Sequence, residues 1–193
     1  MTEHRAEMPP SGWIVRFAHL VPHGCAVLDL ACGTGRHVRY FTDRGHPVTA
    51  TDRNAETLAA LGDIPGVETL VADLEDGGRW PLERRSFGAV IVTNYLHRPL
   101  LPHIIDSVEP GGVLLYETFA HGNEAFGKPS NPDFLLAPGE LLEAVRGKLR
   151  VVAYEDGVIA TARAAAVQRL VAVWRDPSDA PSPLSDSAPS QDE

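Results

Sequence analysis

VLDLACGTGRH, residues 27–37, joins a buried strand, a turn of small residues and the first turn of a helix. The run from Ala26 to Leu30 is apolar except for Asp29, which places a carboxylate near the end of an otherwise buried strand. Ala31, Cys32, Gly33 and Gly35 then keep bulk away where the backbone must bend and something must approach closely. The free N–H groups at the start of the following helix face the same point. Strand, small-residue turn and helix start together make a cradle for a cofactor.

Outward from that cradle, apolar segments alternate with helical or looped ones. Ser11 caps a helix over 11–20 that sets Trp13, Ile14, Phe17 and Leu20 at helical spacing. Strands follow at 47–52, 67–73, 87–94 and 111–119, with helices at 35–45, 54–61 and 100–108 and a broken loop at 74–86. The stretch 87–94, FGAVIVTN, is nearly all apolar, as a central strand covered on both faces must be. Residues 120–138 form a long loop rich in glycine and proline, of the kind that carries function in compact domains. After a helix at 138–145, strands at 149–158 and 166–174 form a hairpin around Asp156 and Gly157. The expected fold is α/β: a doubly wound, Rossmann-like, seven-stranded and mostly parallel sheet, the last strand antiparallel, with helices on both faces. Residues 11–175 form one domain. The polar residues 1–10 read as a flexible N-terminus, and the acidic, Pro/Ser-rich 176–193 as a disordered tail.

Charge and composition narrow the partners. The chain has 193 residues and a formal charge of −9, with only two lysines, Lys128 and Lys148. Five acidic residues and no basic one follow Arg175, which leaves −4 on the part before them. An acidic body disfavours nucleic acid as a substrate. Two cysteines without metal-ligand spacing, and eight histidines without an H-x-x-x-H pair, give no metal signal. No apolar run reaches the ~18 residues of a membrane span, and no secretory segment is visible, so the expected setting is cytoplasmic.

Three carboxylates, Asp29, Asp52 and Asp73, end or nearly end the first three strands. Ligands of open α/β sheets bind at those strand ends. Asp52, about twenty residues beyond the glycine turn, suits the hydroxyls of a ribose, with Arg53 beside it. Asp73 suits the exocyclic amine of an adenine, and Asp29 an ammonium group. The small residues do not match the dinucleotide pattern G-x-G-x-x-G, since Val38 stands where its third small residue belongs. That disfavours a nicotinamide-dependent oxidoreductase.

VLDLACGTGRH, TDRN, VADLE and VIVTNYLHRPL together resemble the successive cofactor motifs of class I S-adenosylmethionine-dependent methyltransferases. The resemblance implies that Gly33 and Gly35 hold the methionine part, Asp52 the ribose and Asp73 the adenine, with Leu74 offering its backbone N–H to the ring. Ala31 stands where the family usually has glycine. The stretch from Tyr116 to Leu141 is similar to a bacterial branch of tellurite-resistance-type methyltransferases, which implies a small-molecule or metalloid-oxyanion acceptor.

On the acceptor side, Asn94, Tyr95 and His97 follow the fourth strand and are expected beneath the reacting sulfur. Asn94 belongs with the cofactor set, and Tyr95 and His97 are the catalytic candidates, His97 as a general base or as a structural histidine. The sequence NYLH lacks the prolines of base- and amine-methylating relatives. Arg16, Glu117 and His121 are candidates for lining the acceptor pocket. Methyl transfer to a small acceptor, such as a thiol, chalcogen or metalloid oxyanion, is the leading expectation. The alternative is a cofactor-binding regulator without acceptor chemistry of its own. The oligomeric state is not set by the sequence.

Overall fold

The strands are β1 (Val27–Leu30), β2 (Val48–Asp52), β3 (Val67–Val71), β4 (Phe87–Thr93), β5 (Val108–Phe119), β6 (Arg150–Ile159) and β7 (Ala165–Val173). In the computed structural model, which describes residues 8–160 and 164–175, they form one sheet in the order β3-β2-β1-β4-β5-β7-β6. The first five are parallel neighbours. β7 runs antiparallel to both β5 and β6 and lies between them. The seven-stranded, last-antiparallel expectation therefore holds, and the insertion of β7 inside the hairpin's partner order is a feature the sequence did not reveal. The segments 1–7 and 176–193 lie outside the described residues, as does 161–163 in the β6–β7 loop.

Strand alternation sorts the core into two clusters, one on each face of the sheet. Val27, Val48, Ala50, Ala89, Ile91, Val113 and Leu115 point to one side. There they meet Trp13, Ile14 and Phe17 of α1 (Gly12–Phe17), Val38 and Phe41 of α2 (Arg36–Thr42) and Leu58 of α3 (Ala55–Ala59). Leu28, Leu30, Val90, Val92, Leu114 and Tyr116 point to the other side. There they meet Ile104 and Ile105 of α4 (Leu101–Asp106) and Leu141 and Val145 of α5 (Glu140–Val145). Each fully buried Leu, Ile or Val contributes about 1.5–3 kcal/mol of transfer free energy, so the period-two pattern of the central strands is what locks their register.

Several elements differ from their sequence reading. The fifth strand starts at Val108, not at Gly111, and shifts register opposite Phe87 and Ala89. Gly112 sits at that irregularity, where a Cβ would lie 2.9 Å from the Glu109 carbonyl oxygen and 3.0 Å from that of Gly88. The helix of the fourth crossover accordingly ends at Asp106, with Ser107 as its C-cap. The third helix covers only Ala55–Ala59, capped by the Asn54 side chain accepting from Thr57 N at 3.1 Å. The 120–138 loop is also more ordered than its composition suggests. It contains single 3-10 turns at Asn123–Ala125 and Pro132–Phe134, and Leu136 bridges back to Ala120.

Candidate functional site

The turn after β1 is wound tightly by three left-handed residues, Ala31 (φ +52°), Gly33 (φ +55°) and Gly35 (φ +78°). Cys32 N donates to Thr51 O at 2.9 Å and Gly35 N to Cys32 O at 3.0 Å, which ties the turn to β2. A Cβ on Gly35 would come within 2.5 Å of Leu61 Cδ2, so glycine is needed there for packing as well as for φ. At Gly33 a Cβ would meet nothing within 4 Å, so this part of the turn opens outward. The Cys32 side chain is buried in the same core cluster as α1 and α2, and burial pushes its thiol well above the ordinary range. Cys32 thus contributes its backbone to the turn and not a side chain to the crevice.

Asp52 closes the turn from the neighbouring strand. Its Oδ2 accepts from Gly33 N and its Oδ1 from Asn54 N, each at 2.9 Å. Both oxygens keep further lone pairs for a ligand, because a carboxylate has about four acceptor sites. Asp73 Oδ1 accepts from Glu75 N at 3.0 Å and bends the chain at the end of β3. Asp52, Arg53, Asp73, Leu74 and Tyr95 line one cavity of about 280 Å³ together with Ala31. Ala72, Glu75 and Phe134 complete its wall. Glu75 is the last residue of the VADLE motif and so is signalled by the sequence. Phe134 is not, because it arrives from a loop sixty residues further on.

Asp29 lies beneath this turn. It is 1% exposed, and neither carboxylate oxygen has a hydrogen-bond partner. Burial pushes its pKa up to about 7, against the opposing positive charge of Arg36. An orphaned buried carboxylate is costly, and a cationic group arriving at the turn would relieve that cost. The residues present therefore fit a ligand with a hydroxylated sugar, a flat base and a positively charged end.

The remaining candidates are dispersed. Asn94 takes φ +55° at the end of β4 and donates its N–H to Glu117 O at 2.9 Å. The Tyr95 ring is at the cavity, while its hydroxyl is buried without a partner and its pKa is raised by burial and by the charge of Glu75. His97 is half-buried at the start of the 3-10 turn Arg98–Leu100 and is not part of the cavity wall. His121 is exposed on the loop after β5, where its N–H donates to Leu136 O at 3.0 Å.

Glu117 belongs to a structural network. Its Oε1 accepts from Ser11 Oγ at 2.8 Å and its Oε2 from Arg169 Nε at 2.6 Å. Ser11 N donates to His37 Nε2 at 3.0 Å, which fixes the proton of that neutral ring on Nδ1. Burial lowers the His37 pKa to about 3, with the Arg36 charge adding to the effect. Arg169 also reaches Glu155 at 3.2 Å, and Glu155 pairs with the exposed Arg16 at 3.0 Å. Arg16 lies 4.9 Å over the Phe17 ring. Both Glu117 and Arg16, expected at the acceptor pocket, are thus committed to holding α1 against β6 and β7.

A larger cavity of about 590 Å³ lies on the outer side of α2, between Met8–Pro10 and α3. Two of its three arginines are engaged locally: Arg39 donates to Thr34 O at 2.7 Å, and Arg44 stacks on Tyr40 at 3.6 Å. None of the strand-end carboxylates reaches it, so the smaller cavity is the better candidate. Among the described residues no group of three or more His, Cys, Asp or Glu is placed to hold a metal ion, and no helix is long and apolar enough to cross a membrane.

Residues 27–112 match the family model described as a methyltransferase domain. No curated protein matches the sequence. Among solved structures, TehB from Haemophilus influenzae superposes with a TM-score of 0.69 at 22% identity over 86% of this chain. The chain spans 62% of the length of that protein. The glycopeptide N-methyltransferase MtfA in complex with S-adenosyl-L-homocysteine gives 0.58 at 23% identity, covering 90% of this chain and 94% of that one. The [4+2]-cyclase SpnF gives 0.64 at 15% identity, covering 84% and 78%. Likenesses at this identity establish a shared fold, and one fold hosts several chemistries.

Proposed function

We propose that this chain, which carries a methyltransferase domain on the class I methyltransferase sheet, binds S-adenosylmethionine in the 280 Å³ cavity and transfers its methyl group to a small-molecule acceptor. One observation carries the reading: Asp52 and Asp73, from neighbouring strands, open onto the same cavity beside a glycine turn under which Asp29 lies unpaired. Asp52 would take the ribose hydroxyls and Asp73 the adenine amine. Asp29, beneath Gly33 and Gly35, would answer the positive charge of the methionine end.

When bound, S-adenosylmethionine supplies a methyl group made electrophilic by its sulfonium sulfur. The contribution of the protein is alignment of the nucleophile and exclusion of water, which together can lower a barrier by about 7–11 kcal/mol. Asn94 and Tyr95, at the end of β4, would border the acceptor side. His97, two residues beyond Tyr95, is the candidate for accepting a proton from an acceptor that carries one, and a thiolate or chalcogen anion would need none.

The acceptor class rests on the resemblance of residues 116–141 to the tellurite-resistance-type branch, the type to which TehB belongs. The acidic surface and two lysines support a small acceptor over a polyanion. Calorimetric titration with S-adenosylmethionine, S-adenosylhomocysteine and NAD tests the cofactor, and binding of NAD alone would overturn the reading. A screen of thiols, selenite, tellurite and small amines with methyl-labelled cofactor tests the acceptor. Label recovered in none of them would favour a regulator without acceptor chemistry.

A further inference from the structure

The loop after β5 returns to the cavity at one residue. Phe134 lies in its wall although the side chain is 45% exposed, so a large ring is left uncovered among the polar groups Asp52, Arg53, Asp73 and Glu75. Besides the Asn131 cap within the loop, one side chain from outside it, in the 3-10 turn after β4, holds its backbone. Arg98 Nη1 donates to Asp133 O and Nη2 to Leu135 O, each at 2.8 Å, and these are the carbonyls on either side of Phe134. The same guanidinium donates through Nε and Nη2 to the two carboxylate oxygens of Glu140 at 2.7 and 2.9 Å. Glu140 Oε2 in turn accepts from Ala137 N at 2.8 Å. Such a bidentate pair sets geometry as well as energy.

Tyr95 is held in a parallel way. Its carbonyl accepts from the Tyr116 hydroxyl at 2.9 Å, and Tyr116 is itself fully buried. Two aromatic rings, each with its backbone held from behind, thus enter one cavity whose wall also carries the polar groups of Asp52, Arg53, Asp73 and Glu75. An exposed, rigidly held ring beside carboxylates suits a ligand with a flat face and polar edges.

We propose that Phe134 is a wall of the nucleobase subsite and that Arg98 is the positioning residue that sets it. The base end of the ligand is then gripped partly by a loop outside residues 27–112, the part that matches the methyltransferase-domain family. The inference rests on the adenosyl reading of the cavity.

The test is titration of S-adenosylhomocysteine and of 5′-methylthioadenosine, which keeps the base and lacks the amino-acid end, into the full chain and its variants. Phe134→Ala, at an exposed position, raises both dissociation constants by about five- to thirtyfold, the scale of one lost base–aromatic contact. Arg98→Ala, which removes no group lining the cavity, raises both by a similar factor, and Phe134→Leu by less than Phe134→Ala. The double variant Arg98→Ala/Phe134→Ala binds no worse than Phe134→Ala alone, because both changes remove the same contact. Fully multiplicative losses would overturn the positioning role. If Phe134→Ala stays within twofold of the parent while Asp52→Ala weakens both ligands, the proposal fails and the cavity assignment stands. If the parent protein binds neither ligand, the cavity assignment fails as well.

Discussion

Asp52 Oδ2 accepts the Gly33 N–H at 2.9 Å, so the acid at the end of the second strand already braces the glycine turn before any ligand arrives. Its two tasks separate experimentally. Asp52→Ala removes acceptors from Gly33 and Asn54 and is expected to cost about 1–3 kcal/mol of stability in urea unfolding. In calorimetry it should also weaken S-adenosylhomocysteine binding by about 1–3 kcal/mol. Undiminished affinity would remove Asp52 from the ligand's partners and leave it a brace only.

Asp29 and His37 make opposite pH contributions. The unfolded chain protonates His37 below its ordinary 6.5, whereas the fold keeps it neutral down to about 3, so stability falls as pH drops through that window. The unfolded chain ionises Asp29 above 3.8, whereas the fold keeps it protonated up to about 7, so stability falls as pH rises through that window. Each slope is about 1.4 kcal/mol per pH unit where fully expressed, and between pH 5 and 6 they oppose each other. Relative to the parent, Asp29→Asn should gain about 1 kcal/mol from pH 5 to pH 6, and His37→Gln should lose about as much. Urea midpoints at the two pH values decide it, and three parallel trends would refute both assignments.

The polar chain across β5 and β7 should divide by burial. Glu117→Ala removes the acceptor of Ser11 and the nearer of Arg169's two charge partners and is expected to cost about 1–3 kcal/mol. Arg16→Ala breaks an exposed pair with Glu155 and is expected to cost less than about 1 kcal/mol. Denaturant unfolding of both variants is the measurement. A Glu117→Ala protein of normal stability with a raised acceptor KM would return Glu117 to the acceptor pocket.

Ala31 occupies a left-handed backbone conformation that an L-residue other than glycine reaches at a cost of about 1–2 kcal/mol. Ala31→Gly is therefore expected to raise stability by up to about 1 kcal/mol after the greater freedom of glycine in the unfolded chain is subtracted. A rise in the urea midpoint with an unchanged m-value would show it; a fall would mean that the methyl group makes a packing contribution larger than the strain.

The first four strands and the glycine turn were legible because each obeys a local rule. Apolar alternation set the faces of Leu28, Leu30, Val90 and Val92, and small residues marked the bend. The strand-end acids were legible for the same reason, since parallel strands bring their C-terminal ends to one edge. Phe134 and Arg98 were not, because their meeting depends on where a long loop lands, and no periodicity records that. The partners of Glu117 were hidden for a related reason. Its place at the end of β5 was read correctly, but its partners Ser11 and Arg169 lie 106 and 52 residues away. Tyr95 lines the cavity of Asp52 and Asp73, and the backbone turns at Asn94, with φ +55°, immediately before it.

The position of β7 between β5 and β6 also bears on how the chain is made. Synthesis delivers β6 before β7, yet β6 joins the sheet only through β7. The edge of β5 from Val113 to Phe119, VLLYETF, therefore stays unpaired until residue 173 has left the ribosome. At about 5–20 residues per second that interval lasts seconds, and an open apolar edge is a template for pairing with another chain. Nascent chains stalled before residue 165 are the species that chaperones must shield.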